Sequence, residues 1–175
     1  MPDETRHNPF HLLHKALRFG HCRMLSELGA EDFSDDGAAA RLLSHLVQHL
    51  DLCRAVAEAR QDALLCVLTA RGSEMAAATC QAHASHLTAL AELESLVRAV
   101  NVAAPWRRRV AGRSIYRCFA LYASADMERM DEDETVLLAH LHTVLPDAEI
   151  RAIEGRIIAA VPPQKMAAVM PNWTS

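Results

Sequence analysis

From Gly37 to Ala70 the chain runs without a proline or an internal glycine, and Leu42, Leu46, Leu50, Cys53, Ala57, Leu64 and Val67 recur along it at helical spacing. A run of that length and period has one economical solution, an amphipathic helix with those residues on its buried face. Strands are excluded there because the apolar residues do not alternate. Arg71-Gly72-Ser73 supplies the stop.

The rest of the chain repeats the pattern. A first helix is expected from about Pro9 to Leu28, with Phe10, Leu13, Leu17, Met24 and Leu28 as its inner stripe and Gly29 as its stop. Asp35 and Asp36 are ready N-caps for the second helix. Ser73 can cap a third, running to about Val100, whose inner side carries Thr79, His83, His86, Leu90, Leu93 and Val97. Asn101 to Gly112 reads as a loop around Pro105, and a fourth helix as Arg113 to Leu145. Shorter helices follow over Asp147 to Ala160 and Pro163 to Met170. Long helices with short connections pack as an antiparallel four-helix bundle, so the fold class is all-α, with one or two short C-terminal helices closing an end. At 175 residues, 51% of them apolar, a single domain is expected over 1–175, the bundle at about 9–145 and the C-terminal helices at about 147–170.

Charge and cysteine usage narrow the function classes. A net charge of −4 offers no electrostatic footprint for nucleic acid. The Arg107-Arg-Arg109 cluster, with Arg113 and Arg117, reads as a solvated helix start. Cys22, Cys53, Cys66, Cys80 and Cys118 form no C-x-x-C pair, which points to reduced thiols packed as small apolar groups in a cytoplasmic protein. No apolar run approaches a membrane span, and the charged N-terminal residues carry no export signal. No nucleophile with an adjacent base, phosphate loop or H-E-x-x-H pair is present, so an enzyme is not expected. A small ligand or a protein is the expected partner, and the apolar stretch from Val161 to Trp173 leaves a homo-oligomer open.

The ten histidines carry the chemistry. Imidazole is the commonest side-chain ligand of transition metals, and a bundle builds a metal site from inward groups on facing helices at one height. His14, beside Leu13 and Leu17, can face inward, as can His83 and His86. Tyr122, Asp126, Arg129 and Asp133 make a second stripe. Arg129 stands out in it, because arginine has a fixed positive charge and no lone pair to offer a metal.

Five segments together resemble the hemerythrin-like, or HHE cation-binding, family. They are Leu13-His-Lys-Ala-Leu-Arg18 followed by Leu28-Gly-Ala-Glu-Asp32, then Leu68-Thr-Ala-Arg-Gly72, His83-Ala-Ser-His-Leu-Thr-Ala-Leu90, Met130-Asp-Glu-Asp-Glu-Thr-Val136 and Ile157-Ile-Ala-Ala-Val-Pro-Pro-Gln-Lys-Met-Ala167. The resemblance implies a non-haem diiron site in a bundle core, used for oxygen binding, sensing or related redox chemistry. It places the first-helix ligand at His14 and the third-helix ligands at His83 and His86. Where the second helix should offer a histidine and then a carboxylate, this chain has Val56 and Arg60 or Gln61; where the fourth should offer a histidine and a carboxylate, it has Arg129 and Asp133, with Glu134 alongside.

Two guanidinium groups beside a cation cavity oppose a metal, since like charges ~5 Å apart repel by roughly 3 kcal/mol at an effective dielectric of 20. The expectation is a bundle that has lost its diiron centre, holds no cofactor and acts as a non-catalytic binding or regulatory module. In it Arg60 or Arg129 fills the vacated position, pairing with Asp126, Asp133 or Asp62. The competing arrangement has both arginines snorkelling outward. The competing function keeps one iron or zinc ion on His14, His83, His86 and Asp133 for oxygen or metal sensing.

Overall fold

The computed structural model describes residues 3, 5–101 and 104–165. The fold is all-helical, with no strand among the described residues: α1 His11–Ala30, α2 Asp36–Arg60, α3 Cys66–Ala70, α4 Ala76–Asn101, α5 Pro105–Glu132, α6 Leu138–Val144 and α7 Asp147–Ala160. The helix expected over Pro163 to Met170 lies largely outside the described residues, as does the apolar C-terminal end expected to close the fold or meet a second copy. Helix α1 packs on α2 and α5, α4 packs on the same two, and α7 lies against α2. Leu46, Leu50, Leu64, Leu90, Ile115, Phe119, Met130 and Leu141 fill the centre at 1% exposure or less. Among the described residues no helix is long and apolar enough to cross a membrane.

Several boundaries differ from the expected ones for identifiable reasons. Gly29 does not stop α1; it lies inside the helix, where a Cβ would stand 3.4 Å from the Tyr116 ring. Asp35 does cap α2, its carboxylate accepting from Ala38 N at 2.7 Å. Helix α4 begins three residues after Ser73, whose hydroxyl instead meets Met75 N and His140 Nε2. The expected loop from Asn101 to Gly112 is mostly helix, because Pro105 starts α5 in the first turn, where a missing N–H costs nothing. Gly112 is then mid-helix, and a side chain there would overlap the ring of Phe33.

Phe33 is itself held at φ 61 and 4% exposure, an unusual conformation for a bulky residue, and the bare helix surface at Gly112 admits its ring. Gly112→Ala is therefore expected to destabilise the fold by about 1–3 kcal/mol despite alanine's better helix propensity. Urea denaturation checks the sign. The basic start of α5 meets the acidic connection nearby: Arg108 pairs with Asp36, and Arg109 lies 3.7 Å from Asp32.

Two irregularities were not legible in the periodicity. Between α2 and α3, Gln61–Leu65 forms a π-turn closed by Cys66 N to Gln61 O, and between α5 and α6, Asp133–Leu137 forms another closed by Leu138 N to Asp133 O. Each inserts a residue without breaking the helix, a feature frequent at functional sites. It also moves the buried face: Leu64, Leu65 and Leu68 point inward, and Val67, expected on the inner stripe, is only partly buried.

Candidate functional site

Both π-turns begin at a polar core. Residues seven apart on the same helix face stand roughly 10 Å apart along its axis, and three of the long helices repeat their polar residues at that interval. His14 and His21 do so on α1, Cys53 and Arg60 on α2, and Tyr122 and Arg129, then Asp126 and Asp133, along α5 into its π-turn. The interior is thus built in two layers. Helix α4 contributes His83 to one and His86 to the other.

The layer at the π-turns is ionic. Arg60 pairs with Asp133 Oδ1, and Arg129 Nη1 donates to Asp133 Oδ2 at 2.9 Å. Arg129 also reaches Asp126 Oδ1 through Nη2 at 2.6 Å and Nε at 3.0 Å, so one guanidinium ties the two layers together. The side chains of Arg60 and Asp133 are each 6% exposed and that of Arg129 is 15% exposed. Neither arginine snorkels to solvent. Asp62, an expected alternative partner, is exposed and takes no part. Burial pushes the Asp133 carboxyl up, against the pull of both arginines, while for Arg129 the two carboxylates outweigh burial and raise the guanidinium.

The histidines beside that layer turn to separate partners. His14 Nδ1 meets Glu134 Oε1 at 2.7 Å, which also accepts from Arg18 at 2.9 Å, and His14 Nε2 stops 3.8 Å from Asp133. His83 Nε2 donates to Gln61 Oε1 at 3.0 Å. His86 belongs with the other layer, its Nδ1 3.2 Å from Asp126 and its Nε2 3.4 Å from the Tyr122 hydroxyl. His14, His83, His86 and Asp133 therefore share an interior, but their ligand atoms do not converge on one point. A cavity of about 20 Å³ among His14, Val56, Arg60, His83, His86 and Arg129 is what the arginines leave, room for about one water.

In the second layer, His21 and His49, which the sequence does not single out, join Cys53 and Asp126, which it places on inner stripes. His21 Nε2 lies 2.9 Å from Asp126 Oδ2, His21 Nδ1 lies 2.9 Å from His49 Nε2, and His49 Nε2 lies 3.7 Å from Cys53 Sγ. His21 and His49 are 0% and 1% exposed. Burial drives His49 down to about 3 and His86 and His14 each to about 4, and it raises the Cys53 thiol. For Asp126 burial acts upward, but the His21 hydrogen bond and the Arg129 charge outweigh it and hold the carboxyl well below its usual range. Among the described residues, two buried side-chain nitrogens, His49 Nδ1 and Arg60 Nε, have no hydrogen-bond partner. The signal for this layer was present: His21 shares the stripe of Leu17, Met24 and Leu28, and His49 sits one turn before Cys53.

All five cysteines are free, but Cys22, Cys66 and Cys118 are exposed, so packing as small apolar groups describes Cys53 alone in full. Outside the core, a cleft of about 530 Å³ runs between α4 and α5, walled by Leu93, Leu96, Leu121 and Ala125 and floored by His86, Tyr122 and Arg129. His86 and Arg129 line both this cleft and the interior cavity. Comparison with family models, curated proteins and solved structures gave no match to this chain.

Proposed function

We propose that this chain is a hemerythrin-like four-helix bundle whose diiron chamber has been closed by an arginine–aspartate network, leaving a non-catalytic binding or regulatory module. The observation that carries this reading is the pairing of Asp133 with both Arg60 and Arg129 in the interior. A carboxylate neutralised by two guanidinium groups has little left to give a cation, and any cation entering the 20 Å³ cavity would meet two fixed positive charges.

The packing of α1 and of α4 each on α2 and α5 supports the four-helix-bundle part of this reading. The α4–α5 cleft falls within the size range of small-molecule sites and has apolar walls over a few polar groups, so it is where such a module would hold a ligand. Metal analysis of protein purified without chelator tests the reading. Iron is expected far below one atom per chain, and roughly two atoms per chain, the stoichiometry of a di-iron bundle, would overturn it.

A further inference from the structure

The layer holding His21, His49 and Cys53 is not used by that reading, and among the described residues it is the one group of three whose ligand atoms converge, all within 4.8 Å of one another. A tetrahedral d10 ion with Zn–N and Zn–S bonds of ordinary length sets its ligand atoms about 3.3 Å apart for N···N and about 3.6 Å for N···S. The 3.7 Å between His49 Nε2 and Cys53 Sγ lies close to that edge, the 2.9 Å hydrogen bond between the imidazole nitrogens would lengthen to admit the ion, and the third pair lies within 4.8 Å. The far nitrogen of His21 meets the Asp126 carboxylate, the pattern that fixes tautomer and ring orientation in metal-ligating histidines.

We propose that His21 Nδ1, His49 Nε2 and Cys53 Sγ form a binding site for a single thiophilic d10 cation, Zn(II) or Cu(I). Two imidazoles and a thiol are a soft donor set, distinct from the carboxylate-rich sets of hard cations. The adjoining 20 Å³ cavity, which Cys53 and Asp126 also line, has room for one water as a fourth ligand to Zn(II). Asp126 stands between His21 and the Arg129 guanidinium and screens the site from that charge.

The protons balance simply. His21 keeps its Nε2 proton on Asp126, the proton between the two rings moves to Nδ1 of His49, and the Cys53 thiol loses its proton to solvent as the metal–sulfur bond forms. One proton is released per ion, and affinity rises with pH.

The test uses the full chain, reduced and stripped of metal, titrated with Zn(II) or, anaerobically, with Cu(I), each against a chromophoric chelator, with Co(II) as a visible stand-in for zinc. The expected result is one ion per chain in at least one arm. Co(II) should also give a thiolate-to-metal charge-transfer band, and affinity should fall at least 100-fold in Cys53→Ala and in His49→Gln but not in Cys66→Ala. The charge-transfer band identifies a thiolate ligand in the unaltered chain even where a variant fails to fold. No stoichiometric binding in either arm, or binding that survives in both Cys53→Ala and His49→Gln, overturns the site. Iron content tests the arginine layer separately, so either proposal can fail while the other stands.

Discussion

Asp133→Ala is expected to lower the unfolding free energy by about 3–5 kcal/mol, the cost of removing one partner from a buried ion pair. The substitution strands Arg60, whose side chain is 6% exposed and whose Nε already lacks a partner, and it takes from Arg129 one of two carboxylates. For a chain of this size the loss corresponds to a fall of roughly 6–20 °C in Tm. The cost comes from the uncompensated charge more than from the lost attraction, so Arg60→Met combined with Asp133→Leu should recover more than half of it. Arg71→Ala gives the contrast: its pair with Glu149 is 45% and 44% exposed, and breaking it should cost ~1 kcal/mol or less. Equal effects of Asp133→Ala and Arg71→Ala in urea denaturation would show that the interior network is not under the burial described.

Acidification toward pH 4 should unfold the protein through its buried histidines. His14 and His86 have folded-state values of about 4 and His49 of about 3, all driven down by burial, whereas each titrates near 6.5 in an unfolded chain. Between those limits the unfolded state binds more protons, so stability rises with pH there. It is complete above about pH 6.5 and lost as the pH falls toward 4. Three such groups give a slope of up to roughly 4 kcal/mol per pH unit, enough to exhaust a typical domain stability of about 5–15 kcal/mol within that window.

Asp126, held low, adds a loss in the same direction at lower pH, and Asp133, raised by burial, offsets part of it. Urea midpoints at pH 7, 6 and 5 read the slope, and His49→Leu should reduce it by about one third. A midpoint flat from pH 7 to pH 5 would mean that these imidazoles are hydrated rather than buried.

Much of the interior was legible because helical facing is a local property. The stripe Tyr122, Asp126, Arg129 and Asp133 follows from a period of 3.6 residues alone, and the first three lie inward or partly inward on α5 as that period places them. His83, Leu90, Leu93 and Val97 are buried on α4 for the same reason. The start of α5 lies eight residues before the expected Arg113, because proline and glycine signal a loop in sequence but also serve a helix here. Proline suits the first turn of a helix, and Gly112 is bare because Phe33, from a distant part of the chain, occupies its side-chain volume.

By itself, then, the sequence determined that the chain is helical, which faces turn inward, and that arginine and aspartate share one face of the fourth long helix. Only the tertiary structure decided which of those groups meet. Arg60 and Asp133, or His21 and Asp126, are brought together by the height at which separate helices pack, and no local period encodes that height. It also decided that the polar core is double, because the seven-residue repeats on α1, α2 and α5 align only as α1 packs on the other two.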